Sequence, residues 1–267
     1  MKKPSKETVI AVASAAVLTF AFTFNRWKSS QATPSTDSKN PSMQMGGSQN
    51  EPVDRVAFLN AVFDKTKPPI DISRILLSPG GSMPADSSKK ALKWAEETQN
   101  HALVAVISYD LFALFKEGKE TEIARQLIFT AAEYSDNKKI SGFLFQQGKI
   151  LIDKGLAQNS KNMELRNALI IYQSEYLNQP MQFLATLKES LLIDSNNIEL
   201  NFIHLNLLKK SQQWEKAIKK SQKLVSLQPQ NPYWLFETSD IYGNLGDSTN
   251  AKIYLNLAVK SQKNQKQ

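Results

Sequence analysis

Shifting the C-terminal part of this 267-residue chain against itself by 34 residues brings like onto like. Ala217 lands on Ala251, Leu208 on Tyr242 and Asn197 on Asn231, while Leu191, Val225 and Val259 form an apolar triple at the same shift. A period of this length confines the fold, because a unit of that size cannot bury its apolar face alone and must stack on its neighbours. The small alanines fit that geometry: Ala217 and Ala251 fall where one helix of a pair starts to cross the other, and a larger side chain there would push the two apart.

Apolar spacing within and before the repeats is helical. Helices are expected over Met163–Leu177, Met181–Ile193, Ile198–Lys210, Trp214–Leu227, Tyr233–Leu245 and Asn250–Gln262. Upstream, Ala91 to Phe115 reads as one helix or two with a break at Asn100-His101, closed by Gly118. Glu120–Tyr134 and Lys139–Lys154 follow, with Gly155 as a stop. Val56 to Phe63 gives a short helix ended by Lys67-Pro68-Pro69, and Ile70 to Leu77 is apolar without a clear type. Pro79-Gly80-Gly81-Ser82 reads as a turn, lacking the spacing of a phosphate loop or a nucleophile elbow. Strand-type alternation is missing after residue 80, so the fold class is all-α.

Residues 232–262 carry the pattern best. Small Ser239 and large Tyr242 sit on the first helix, Leu245-Gly246-Asp247 form the turn, and Ala251 and Ala258 sit on the second helix. Residues 198–231 keep Leu208, Ala217, Leu224 and Leu227-Gln228-Pro229, and residues 164–197 are degenerate, with Phe183 where alanine is expected. These residues resemble the tetratricopeptide repeat family, closely over 164–262, more loosely over 101–163, and not before 87. Asn178-Gln179-Pro180-Met181 through Asp194-Ser195 resembles small bacterial membrane-anchored members. The resemblance implies an α-solenoid of helix hairpins that binds a protein or peptide on the surface of its first helices. Carried over residue by residue, that concave groove holds Tyr172, Glu175 and Tyr176, then Phe202, Asn206 and Lys209, then Tyr233, Phe236 and Asp240. Partly exposed rings with interleaved polar groups suit an extended or helical peptide. Ala168 and Tyr172 replace the lysine and asparagine that the family's clamp for acidic C-termini needs, which argues against that specificity.

Thr8 to Phe24 is an uncharged run of seventeen residues. As a helix it spans roughly 26 Å, close to the ~30 Å hydrocarbon core, and Trp27 with Arg26 and Lys28 extends it into the interface. Phe22 to Trp27 offers a poor cleavage site, so an uncleaved signal anchor is expected over 8–27, after a basic tail at 1–7. Lys2, Lys3 and Lys6 favour an internal N-terminus and an exported body. The expected location is the bacterial cytoplasmic (inner) membrane, single-pass, with the repeats on the periplasmic side. Residues 28–52 are polar and should form a tether; 53–86 form a short helix with loops of unassigned role; 87–267 form the repeat domain.

Charge and composition exclude other classes. The net charge of +8 divides as +4 over residues 1–50, 0 over 51–189 and +4 over 190–267. A nucleic-acid binder more often concentrates a dense basic stripe on its folded domain. Lys216, Lys219, Lys220 and Lys223 do form a stripe, read as a solvated outer face. With no cysteine and two histidines there is no thiol chemistry and little scope for a metal cluster. His204 lies beside Leu205 and Leu208 on a buried face, and His101 has no partner in sequence.

The expectation is a membrane-anchored scaffold or adaptor, not an enzyme, with no cofactor, no small-molecule substrate and no nucleic acid. Two alternatives stand beside it: a soluble exported form after signal cleavage, and an enzyme or nucleic-acid-binding protein with its site in 53–100.

Overall fold

The computed structural model describes residues 51–78, 84–115 and 119–264, with the backbone alone for 113–115. The expected span Thr8–Phe24, nearly all of the tether, the Pro79–Ser82 turn and the Gly118 cap lie outside the described residues. Every described regular element is helical: α1 (Arg55–Thr66), α2 (Ile70–Leu76), α3 (Ala85–Glu97), α4 (His101–Phe115), α5 (Glu120–Glu133), α6 (Lys138–Gln158), α7 (Met163–Ile171), α8 (Pro180–Ile193), α9 (Ile198–Lys210), α10 (Trp214–Leu227), α11 (Pro232–Leu245) and α12 (Ser248–Asn264). No described helix is long and apolar enough to cross a membrane.

The chain divides within α8 into two compact units, residues 1–183 and 184–267. In the first, the described residues 53–78 pack into the core. Phe58, Leu59 and Val62 of α1 and Ile72 and Leu76 of α2 are buried in the same core as Leu103, Leu127 and Leu144. Phe58 stacks on Phe143 of α6 at 4.7 Å. Asp54 caps α1 by accepting from the Ala57 N–H at 2.7 Å, and Lys67 closes it in the left-handed region at φ 45°, ahead of the two prolines.

Arg55 pairs its two terminal guanidinium nitrogens with Asp110 of α4, at 2.9 and 2.6 Å, and the Asp110 side chain is only 7% exposed. Burial pushes the Asp110 carboxyl above its usual range, while the Arg55 guanidinium pulls the other way. The predicted break near Asn100 is present. Gln99 sits at φ 53°, and Asn100 Oδ1 accepts from the Leu103 N–H at 3.1 Å while its amide donates to Thr66 Oγ1 at 2.7 Å.

Gly155 does not stop its helix; α6 runs on to Gln158. The glycine is there for contact, since a Cβ on Gly155 would run into Leu165 Cδ1, and one on Gly148 would lie 2.7 Å from Ile128 Cδ1. After α7 the helix widens into a π turn over Tyr172–Tyr176, where the Leu177 N–H donates to the Tyr172 carbonyl at 3.2 Å.

In the second unit the repeat is written in caps. Asn197 accepts from the Leu200 N–H at 3.1 Å and Asn231 from the Tyr233 N–H at 3.0 Å, as Asn162 does from Leu165 at 3.2 Å in the first unit. Ala217 and Ala258 are fully buried, and Ala251 is half-buried beneath Ser239, whose hydroxyl donates to its carbonyl at 2.8 Å. Gly246, at φ 86°, ends α11, and Asp247 begins α12 by accepting from the Asn250 N–H at 3.0 Å.

Candidate partner-binding surface

The nine residues expected to share one groove fall into two sets. Tyr172, Glu175 and Tyr176 belong to the first unit; Phe202, Asn206, Lys209, Tyr233, Phe236 and Asp240 belong to the second.

The first set serves mainly as core. Tyr172 is 9% exposed, with Phe145 at 6.0 Å edge-on and Tyr176 at 5.4 Å. Tyr176 is half-buried against Phe145 at 5.2 Å, and its hydroxyl accepts from Gln146 Nε2 at 3.2 Å. Glu175 alone is exposed. Burial, with the Tyr176 hydroxyl and Asp153 adding to it, pushes the Tyr172 hydroxyl above the usual phenol range. The expectation of partly exposed rings fails at Tyr172, because the adjacent helix α6 sets Phe145 against its ring and the Lys149 ammonium over it at 5.6 Å.

The second set is assembled across α9 and α11. Phe202 is also buried, at 4% exposure, so it too is a support and not an anchor for a ligand. It meets Tyr233 edge-on at 5.8 Å and Trp234 at 5.3 Å, and those two rings meet at 4.8 Å. Asn206 is buried as well, and its Nδ2 has no hydrogen-bond partner among the described residues. Further along the same two helices is a charged group: Lys209 Nζ lies 2.6 Å from Glu237 and 3.2 Å from Asp240. Burial pulls the Lys209 ammonium down, but Glu237 and then Asp240 outweigh it and hold it above the ordinary lysine range. Burial, then the hydrogen-bonded Glu237 carboxylate, pushes the Tyr233 hydroxyl well above the phenol range, so Tyr233 remains a neutral donor. Phe236, 36% exposed, and Asp240, 57% exposed at its side chain, face outward from the same helix.

Glu237 was absent from the expected set, yet α11 spacing contains the signal for it. It stands one turn after Tyr233 and one turn before Asp240. With two carboxylates about one lysine, the patch is locally anionic.

The other sequence candidates are structural. His204 is half-buried with its Nδ1 unpartnered among the described residues, and burial, then Lys220 and Lys188, hold it below its usual value. A histidine with a depressed folded value favours the unfolded chain once that chain protonates, at about pH 6.5. Stability should therefore fall as pH drops from 7.5 to 5.5. His204→Gln should flatten that part of the dependence in urea midpoints, and an unchanged slope would refute the assignment. Of the basic stripe, Lys216 and Lys219 are exposed, but Lys220 is half-buried and donates to Asn201 Oδ1 at 3.0 Å. The described residues hold no cluster of three metal-ligating side chains. A crevice of about 430 Å³ in the first unit is lined by Lys65, Glu133, Tyr134, Asp136 and Asn137.

No protein-family profile and no curated protein matches the chain. Among solved structures, the MamA chain titled MSR-1 C2 superimposes with a TM-score of 0.43 at 12% identity, over 68% of this chain and 98% of that one. A point mutant of MamA superimposes with a TM-score of 0.40 at 12% identity, over 66% and 96% of the two chains.

Proposed function

We propose that this protein is a tetratricopeptide-like scaffold without catalytic activity, held in the bacterial cytoplasmic membrane by residues 8–27, with its repeats on the exported side, and engaging a protein or peptide through α9 and α11. The observation that carries the binding part is the exposed Phe236 and Asp240 beside the Lys209–Glu237 pair. An aromatic side chain has few rotamers to lose on docking, and such anchors contribute about 2 kcal/mol each. The anionic balance of the patch favours a partner segment that presents a basic residue next to an apolar one.

The anchor rests on the uncharged run from Thr8 to Phe24. Affinity capture from detergent-solubilised membranes tests both parts. The protein should resist carbonate extraction, and Phe236→Ala combined with Asp240→Asn should weaken recovery of the captured partner at least tenfold while the second unit still unfolds cooperatively. Undiminished capture by that double variant would reject the α9/α11 surface. A soluble mature chain starting near Asn25 would reject the anchor.

A further inference from the structure

The second unit contains its own template for what should cover α12. On α10, the side that meets α11 is marked by Gln222, whose amide donates to the Tyr242 hydroxyl of α11 at 3.0 Å. The opposite side is marked by Lys220, which reaches Asn201 of α9. Ile218 and Val225 share the Gln222 side by helical spacing, and Ser221, 1% exposed, lies between that side and the Lys220 side. Thirty-four residues on, the matching positions of α12 are Lys252, Leu255 and Val259. Leu255 is 44% exposed and Val259 39%. A buried serine position inside the repeat is thus an exposed leucine here. A face meant to meet water alone would carry the reverse.

The charges on this side indicate the occupant. Lys252 stands where α10 has Ile218, and Lys263 lies on the same side of α12; both are exposed. The whole of α12 holds three lysines and no Asp or Glu, so two copies of this face would repel each other. By contrast α11, the helix that occupies the equivalent side of α10, carries Glu237 and Asp240 and no Lys or Arg.

We propose that the Leu255/Val259 side of α12, flanked by Lys252 and Lys263, docks an acidic amphipathic helix of a partner protein. This surface is distinct from the α9/α11 patch and does not depend on it. Leu and Val supply the apolar seam between helices, and the two ammonium groups meet carboxylates at its edge.

The native chain has no cysteine, so Leu255→Cys in the full chain, purified in nonionic detergent, gives a single labelling site. The probe is a blocked synthetic peptide with the sequence of residues 231–246. Its addition should blue-shift a polarity-sensitive dye at position 255. With unlabelled protein, anisotropy of a fluorescent peptide should give a saturable curve that K252E/K263E weakens at least tenfold. A peptide carrying Glu237→Lys and Asp240→Lys should bind poorly to the native chain and regain affinity for K252E/K263E.

Equal binding of a scrambled peptide, or a charge swap without recovery, would overturn the proposal. So would a sedimenting dimer abolished by Val259→Asp, which would make a second copy the occupant. A dye shift produced by phosphatidylglycerol vesicles but not by phosphatidylcholine vesicles would likewise assign the face to lipid.

Discussion

Asp110→Ala should lower the stability of the first unit by about 3–5 kcal/mol, the range for removing one partner of a buried ion pair. The loss comes less from the missing attraction than from what is left behind. Arg55 would keep its guanidinium beside α4, 24% exposed, with its Nε already buried and without a hydrogen-bond partner among the described residues. Its reach to water is poor, and no other carboxylate pairs with it among the described residues. Replacing both partners by apolar residues, as in R55M/D110L, should recover most of the loss, because neither charge then remains to be desolvated. Urea denaturation of the single and double variants measures the difference. If the double variant proves as unstable as Asp110→Ala, the pair is a net source of stability and the desolvation argument is wrong.

Trp234→Ala should cost the second unit a similar amount, about 3–5 kcal/mol. Trp234 is 1% exposed and touches both Phe202 and Tyr233, so truncation opens a cavity bounded by two rings on two helices. Its Nε1 also donates to Gln228 Oε1 at 2.7 Å, next to the Asn231 cap. Trp234→Phe should keep most of the packing and lose chiefly this hydrogen bond, at about 1 kcal/mol. Because Trp234 packs on Tyr233, which is hydrogen-bonded to Glu237, the alanine variant should also lose partner binding in the capture assay. A shift below about 1 kcal/mol for Trp234→Ala would show that the surrounding helices collapse freely onto the gap.

The second unit was the more legible from sequence, for a local reason. Its helices are bounded by signals a few residues long: Asn197 and Asn231 as caps, Gly246 at the turn and alanines at the crossings. Each of these acts on neighbours near in the chain, so one sequence displays them. The core of the first unit depends on partners far apart. Phe58 finds Phe143, and Arg55 finds Asp110, and nothing in the local spacing of α1 announces either. The role of residues 53–86 therefore could not be read, although their helical periodicity was visible at Val56 to Phe63. Site residues failed in another way. Helical phase puts Tyr172 and Phe202 on the face expected to line an open groove, but it does not reveal which neighbouring ring covers that face. Phe236 and Asp240 stay accessible, whereas Tyr172 and Phe202 do not. Gly155 misled for a similar reason, since a glycine that ends a helix and one that admits Leu165 look alike in the chain.

The wide turn at Tyr172–Tyr176 bears on how the protein tolerates changes in length. From the cap Asn197 to the cap Asn231 is 34 residues, but from Asn162 to Asn197 is 35. A π turn holds one residue more than an α turn, so the surplus residue is taken up inside the helix, without a longer loop or an unpaired cap. It is the physical trace that a one-residue insertion would leave. Beyond it, every side chain is rotated by about 100° relative to an unbroken helix, which keeps the following turn in step with the packing at the expense of the count. Hairpins of this kind can thus gain a residue and still meet their neighbours, and any comparison made at a rigid spacing falls out of step at Tyr172.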